Sequence, residues 1–305
     1  MMSPAESRLR GVLVTFRRPE AVRTMLASLA AQTRPLDDLV VVDNDNDPTT
    51  QEIVRTTTPG AEYVPVTENL GPAGGIALGM RRLLERACDR DWLVTLDDDN
   101  PPVDNTTFAT LCEFADAMSG RVPPTAAVGL GGARFDRRKG QMVRIDDTQL
   151  RGAVAVDYIP GNQYPLYSVT AVRAVGPFRA DLFFGFEELE YGLRLRDAGF
   201  ALFCHGPTWQ ARRAAYERLA TPLAPSRTLN ALTWRRYYAL RNLICILRDC
   251  GATPAALRVT LITGFAKPLV NQPLRPRQAF RHLHQNARAC RDAWMRRMGR
   301  VMEPT

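Results

Sequence analysis

The stretch Trp92-Leu93-Val94-Thr95-Leu96-Asp97-Asp98-Asp99-Asn100-Pro101-Pro102 decides the reading of this chain. An apolar, partly β-branched run stops at three carboxylates and then at Asn-Pro-Pro. That pattern predicts a buried strand with an acidic tip, followed by a turn. Residues i and i+2 of a strand point the same way, so Asp97 and Asp99 converge on one point. Adjacent carboxylates repel one another unless a cation sits among them. Oxygen donors at this spacing suit Mg2+ or Mn2+, and such a cation suits a diphosphate. The competing reading is an acidic turn capping the next helix, expected from Asp104.

Working outward, the same punctuation recurs. Residues 11–16 are an apolar run followed by Arg17-Arg18-Pro19 and a helical pattern through Gln32, with Pro19 suited to a first helical turn. Leu39 to Val42 is a second buried strand ending in Asp43-Asn44-Asp45, and Ala61 to Val66 a weaker third. Asn69-Leu70-Gly71-Pro72-Ala73-Gly74-Gly75 reads as a loop that lets backbone approach a ligand, leading into a helix over 76–88. Apolar strands alternating with helices predict an α/β fold, a mostly parallel sheet flanked by helices. Ligands on such sheets bind at the C-terminal strand ends, where Thr15–Arg17, Asp43–Asp45 and Asp97–Asp99 all fall. Beyond a helix over 104–118, strands are expected at 126–135 and 141–146, a loop region at 152–168, and a short helix at 168–176. Leu182–Phe186 then runs into Glu187-Glu188-Leu189-Glu190, opening a helix to Ala198. From residue 227 the pattern is helical (228–250, 254–264, 276–299).

At 305 residues the chain suffices for one large domain with an appendage, and 45% hydrophobic against 24% charged residues is a globular composition. The six cysteines form no CxxC pair and are read as reduced, in a cytoplasmic protein. No apolar stretch reaches the roughly 20 residues that span a bilayer. Charge is uneven: residues 205–305 hold 18 Lys and Arg against four acids, a net +14, leaving −6 on residues 1–204. Two such surfaces imply two kinds of partner. The division follows: 1–210 as a sheet-bearing domain, 211–305 as a helical basic region.

The ordered set Thr-Phe-Arg-Arg-Pro (15–19), Val-Val-Asp-Asn (41–44), Asn-Leu-Gly-Pro-Ala-Gly-Gly (69–75), Leu-Asp-Asp-Asp-Asn (96–100), Phe-Phe-Gly-Phe-Glu-Glu-Leu-Glu-Tyr-Gly-Leu-Arg (183–194) and Tyr-Tyr-Ala-Leu-Arg-Asn (237–242) resembles glycosyltransferase family 2, most of all its bacterial rhamnosyl- and galactofuranosyltransferase-like branch. The resemblance covers residues 11–245. It implies a GT-A fold and inverting transfer from a nucleotide-diphospho-sugar, UDP- or dTDP-linked, with a divalent cation, Mg2+ or Mn2+. By this resemblance Asp99 holds the metal and Asp97 faces the ribose or shares it. Thr15, Arg17 and Asp43 cradle the nucleoside, while Asp98, Asn69, Gly71, Gly74 and Gly75 complete the donor side.

Inversion needs a carboxylate to take the acceptor's proton. The family's acidic pair stands here as Glu187-Glu188; matching its second member makes Glu188 the general base, with Glu187 the alternative. Relatives often carry a metal-binding His where this chain has Gln210. Either His205 substitutes or the cation rests on Asp99 and phosphates. Expected partners are the donor and a glycan, polyprenyl-linked or small-molecule acceptor. The basic, aromatic C-terminal helices suit an anionic membrane surface at the inner face of the cell membrane. No motif supports nucleic-acid binding. Two other functions compete: a nucleotidyltransferase making nucleotide-sugars, and a non-catalytic nucleotide-sugar-binding protein. The first normally needs an early Gly-rich phosphate loop, and residues 11–19 hold one glycine.

Overall fold

The computed structural model describes residues 7–219, 233–270 and 276–303. The first half is built from β1 (Leu9–Thr15), α1 (Pro19–Ala30), β2 (Asp38–Asp43), α2 (Pro48–Thr57), β3 (Glu62–Pro65), α3 (Gly71–Leu84), β4 (Trp92–Asp97) and α4 (Thr107–Ala117). There follow β5 (Thr125–Gly129), β6 (Arg134–Asp136), β7 (Gln141–Val143), β8 (Ala153–Val156), β9 (Leu166–Ser168), α5 (Val169–Val175), α6 (Glu187–Asp197), β10 (Ala201–His205) and α7 (Gly206–Leu219). The C-terminal part holds α8 (Thr233–Asp249), α9 (Thr253–Arg258), which continues through Val259–Ala266 into α10 (Lys267–Val270), and α11 (Pro276–Trp294).

Eight strands form one sheet in the order β3-β2-β1-β4-β9-β5-β10-β8. The β1, β2, β3 and β4 pairings and the β5–β10 pairing are parallel; β9 and β8 are inserted antiparallel. β6 and β7 make a separate hairpin. Strand residues alternate between two apolar cores. Val12, Val14, Val40 and Val42 face Ile76, Met80 and Leu83 of α3. Leu9, Leu13, Leu39, Val41, Val94 and Leu96 face Val22, Met25 and Leu26 of α1 and Phe108 of α4. Spacing of Val22, Met25, Leu26 and Leu29 gives α1 a single apolar face, and Pro19 opens it.

A third core joins the C-terminal helices to the sheet-bearing part: Trp234, Tyr237, Tyr238, Ile244 and Leu247 pack with Phe183, Leu189 and Leu193. Polar bonds reinforce it. Arg241, fully buried, donates to the Gly299 and Leu182 carbonyls at 2.7 and 2.9 Å. Asn242 Nδ2 lies 3.0, 2.9 and 2.8 Å from the carbonyls of Leu182, Phe184 and Gly185.

Several expectations are corrected. The strand expected over 126–135 is two short ones, with β5 in the main sheet and β6 in the hairpin. Residues 152–168, expected as loop, supply β8 and β9, and β9 sits at mid-sheet between β4 and β5. At three residues β9 is too short to show a period. The helix expected from Ile76 begins at Gly71, so Gly71, Gly74 and Gly75 are helical rather than looped. Residues 228–232 of the expected helix 228–250 lie outside the described residues.

Candidate active site

A cavity of about 600 Å3 opens at the C-terminal ends of β1 and β4. β1 delivers Thr15; the tip of β4 and the turn after it deliver Asp97, Asp98 and Asp99; α6 brings Glu187 and Glu188; α8 brings Trp234 and Arg235 to the wall. Arg17, Arg18, Asn44, Asn69, Gly71 and Phe183 also line it. Of the strand ends that the sequence singled out, Thr15–Arg17 and Asp97–Asp99 meet here, while of Asp43–Asp45 only Asn44 lines the cavity.

The three aspartates have different surroundings. Asp98 is buried; it accepts from Thr15 Oγ1 at 2.7 Å and from Arg18 Nη1 at 3.2 Å. Asp99 is exposed and paired with the same Arg18 nitrogen at 2.5 Å. Asp97 has no cationic partner in contact among the described ion pairs, and burial together with Glu188, Asp99 and Asp98 pushes its carboxyl up to about 7.

The two glutamates are placed by a turn of unusual backbone. Phe183, Gly185 and Phe186 have φ of 63°, 81° and 66°. Left-handed conformations at bulky residues cost free energy and persist only when surroundings hold them. Here the hold is the Asn242 amide together with the packing of Phe183 and Phe184 on Tyr238 and Trp234. Glu188 Oε1 accepts from the Gly161 N–H at 3.0 Å. A Cβ on Gly161 would stand 2.9 Å from Asp97 Oδ2 and 3.1 Å from Glu188 Oε1, so the absent side chain is what lets these carboxylates crowd one turn. Burial raises both glutamates above the ordinary carboxylate range. Backbone N–H groups partly offset this for both, while Glu188 and Asp97 push Glu187 further up. Glu187 Oε2 is buried with no hydrogen-bond partner.

Other residues of the expected set lie elsewhere. Asp43 is fully buried and off the cavity wall. Its oxygens accept from the N–H groups of Asp45 and Asp47 at 2.9 Å each and from Tyr63 Oη at 2.7 Å. It shapes the turn after β2, and Asn44 lines the cavity instead. Arg17 lies on the rim, largely exposed, paired with Asp45 at 3.0 Å. Asn69 Oδ1 accepts from the Gly71 N–H at 2.8 Å, opening α3. Gly74 and Gly75 do not line the cavity; their missing side chains admit Leu70 and Val14. His205 is also off the wall, with Nδ1 2.6 Å from Thr208 Oγ1 and its ring against Phe114.

Among the described residues no three His, Cys, Asp or Glu side chains form a ready cage for a metal. The donor set still fits a hard cation. It consists of carboxylate oxygens, and repulsion from Glu188, Asp99 and Asp98, which a cation would relieve, helps to raise the Asp97 carboxyl. Mg2+-type ions are held by one or two carboxylates, with waters and substrate phosphates completing the shell.

Sequence reasoning did not single out Arg18, Asn44, Gly161 or Arg235 as site residues. Arg18 and Asn44 stood within quoted motifs. Nothing local marks Gly161, which reaches the site only through the folding of 152–168 across the sheet.

The mostly parallel sheet flanked by helices, with its helical C-terminal part, is an α/β fold of GT-A type. The glycosyl transferase family 2 model matches residues 12–140 of this chain. The chain is 35% identical over 198 residues to galactofuranosyltransferase GlfT1 of Mycolicibacterium smegmatis, covering 62% of this chain and 65% of that relative. It thus spans 65% of the length of the relative it matches. The fold is shared with the mannosyltransferase PcManGT from Pyrobaculum calidifontis, solved with GDP-Man and Mn2+ (TM-score 0.52, 16% identity, 96% of this chain and 88% of that one). It is shared too with GalNAc-T7, solved with UDP, GalNAc and Mn2+ (TM-score 0.56, 12% identity, 81% and 48%).

Proposed function

We propose that this chain is an inverting glycosyltransferase that moves a sugar from a nucleotide-diphospho-sugar to an acceptor hydroxyl. The observation that carries the reading is the meeting of Asp97 and Glu188 at Gly161, in one cavity with Asp98, Asp99 and Arg18. Glu188 is the general base: its raised pKa makes it a better proton acceptor than an ordinary exposed glutamate, and the Gly161 N–H fixes its orientation. Glu187, more deeply buried and without a partner for Oε2, positions rather than accepts. Thr15 and Arg18 hold Asp98 and Asp99 at the donor end. A divalent cation, held by Asp99 and Asp97, would supply Lewis-acid stabilisation of charge on the departing diphosphate. Arg235, stacked on Phe184 and Trp234, lends a fixed positive charge at the wall.

The donor is UDP-linked in this reading, with galactofuranose the first sugar to try, because the curated relative is named a galactofuranosyltransferase. The acceptor is a glycan, a polyprenyl-linked glycan or a small molecule. Incubating the chain with UDP-, dTDP- and GDP-sugars and Mn2+ tests the reading. Release of nucleoside diphosphate, dependent on Glu188, supports it. Pyrophosphate release from a nucleoside triphosphate and a sugar phosphate would replace it with a nucleotidyltransferase. Binding without turnover would leave a nucleotide-sugar-binding protein.

A second surface supports attachment at the inner face of the cell membrane. Along the helical run from Thr253 to Val270, Leu257, Leu261, Ile262, Phe265, Leu269 and Val270 are all exposed. Arg258 and Lys267 lie among them, in a region of net charge +14 over 205–305. Among the described residues no helix is long and apolar enough to cross a membrane. An apolar stripe on a basic helix lies in the interface of an anionic bilayer.

A further inference from the structure

A second cavity, of about 410 Å3, shares the 160–163 segment with the acidic site but has the opposite electrostatic character. Arg144, Arg212, Arg213, Trp209, Gln163 and Pro160 line it, and among the described residues no acidic one does. Arg213 is fixed in place: its guanidinium stacks over Trp209 at 5.2 Å, donates to the Ile145 carbonyl at 3.0 Å and pairs with the exposed Asp147. Arg212 Nε is buried without a hydrogen-bond partner. A buried donor left unpaired is costly, and an anion among these arginines would supply the missing acceptor. Gly131 keeps the floor open. A Cβ there would meet Gln163 Oε1 at 2.9 Å and Trp209 Nε1 at 3.2 Å, so its absence leaves room for an indole N–H and an amide at the same place.

We propose that this cavity is a subsite for a phosphate or diphosphate group carried by the acceptor. The inference rests on the glycosyltransferase reading, because it assigns the ligand to the acceptor side. Arginine forks bind phosphate oxygens in pairs, and Arg212 and Arg144 stand beside Arg213, whose charge Asp147 already offsets in part, an arrangement that suits a phosphate-type anion. The 160–163 turn ties the subsite to the reacting centre. Gln163 and Pro160 face the arginine cavity, while the Gly161 N–H holds Glu188 Oε1. A ligand seated against Gln163 therefore touches the same one-turn helix whose Gly161 N–H holds the base. The same chemistry can come from a soluble phosphorylated compound or from an isoprenoid-linked diphosphate in a bilayer.

The experiment uses the full chain in EDTA, which keeps metal-mediated binding at the acidic cavity out of the measurement. Inorganic pyrophosphate is titrated by calorimetry, and neutral phosphatidylcholine vesicles with and without an isoprenoid diphosphate are tested by co-sedimentation. Saturable binding of either probe is expected. Arg212→Gln and Arg144→Gln should each weaken it by at least about tenfold, Arg212→Lys by less, with UDP affinity in Mn2+ unchanged. Arginine-dependent recruitment to the diphosphate vesicles identifies the lipid source; arginine-dependent binding of free pyrophosphate alone identifies the soluble one. Absence of binding by both probes, or binding indifferent to the arginine variants, overturns the subsite. Melting temperatures check folding, and Arg144, exposed on the cavity rim, carries the test should Arg212→Gln fail to fold. Nucleotide-sugar turnover is read separately: turnover without arginine-dependent anion binding removes only the subsite, and anion binding without turnover removes only the transferase reading.

Discussion

The Gly161 N–H donates to Oε1 of Glu188 across 3.0 Å, joining a one-turn helix before β9 to the first turn of α6, 27 residues later in the chain. This bond favours the charged form of Glu188 while burial disfavours it, so the base is raised in pKa yet held at one angle. Glu188→Gln keeps the shape and removes the proton acceptor. Transfer should fall by about 10²–10⁴-fold with donor affinity near wild type, measured by nucleoside diphosphate release and by titration. Glu187→Gln should cost less in kcat. An active Glu188→Gln with a dead Glu187→Gln would exchange the two roles. Because the Glu188 pKa is raised, the ascending limb of the pH–rate profile should lie above the ordinary carboxylate range.

Gly161→Ala tests the same contact from the other side. The new methyl would press on Asp97 Oδ2 and Glu188 Oε1 at about 3 Å. One or both carboxylates must shift, and a displacement of about 1 Å at a reacting group costs on the order of 10²-fold. A large drop in kcat with an unchanged melting temperature is the expected result; wild-type turnover would remove Gly161 from the site.

Asp97 sets a pH dependence of stability. Its folded pKa, about 7, lies above its unfolded value of 3.8, so the folded state binds more protons between them. The sign is fixed: its contribution is most favourable below about pH 4 and is lost as pH rises through 7. The full penalty is about 4 kcal/mol, reduced by solvent entering the open cavity. Asp97→Asn should therefore melt higher than wild type at pH 8, by about 1–2 kcal/mol in stability, with the gap closing toward pH 4. Thermal denaturation across pH in EDTA measures this, and a gap that grows on acidification would reverse the assignment.

How much of this was readable in the sequence depended on length scale. The apolar runs ending at Thr15 and Asp97 announced both the sheet and the cavity, because a buried parallel strand leaves an unbroken apolar signature and its polar tip stands out. Glu187-Glu188 was legible for the same reason, as acids directly after Leu182–Phe186. Asp43 misled because a carboxylate at a strand end serves a turn as readily as a ligand, and Tyr63, 20 residues away, completes its shell. Gly74 and Gly75 misled because close helix–strand packing and ligand approach both require glycine. The pairing of β9 with β4 and β5, which brings Gly161 to Glu188, is a long-range contact with no local periodicity to reveal it.

Asn242→Ala removes the amide that holds three carbonyls of the turn before α6. Leaving buried carbonyls unpaired costs about 1–3 kcal/mol, so a lower melting temperature is expected. The turn also places Glu187 and Glu188, so kcat should fall while UDP affinity holds. Loss of stability with kcat intact would make the amide purely structural.

Attachment to lipid should follow salt. Surface attraction fades as the Debye length shrinks from about 10 Å at 0.1 M to about 3 Å at 1 M. Co-sedimentation with anionic vesicles at low salt should exceed that with neutral ones, and Leu261→Glu with Phe265→Glu should abolish it. Equal recovery on both vesicle types would remove the membrane assignment.

The grip of Arg241 and Asn242 on residues 182–185 bears on how such a chain can be recombined. The helical tail is tied to the active-site turn by its main-chain carbonyls and by Phe183 and Phe184, while Arg241 is itself tied to Gly299, past α11. A chimera built for new acceptors should therefore keep residues 233–249 and the segment through Gly299 with the parent sheet. Cutting before Trp234 would separate the glutamates from the support that holds them in place.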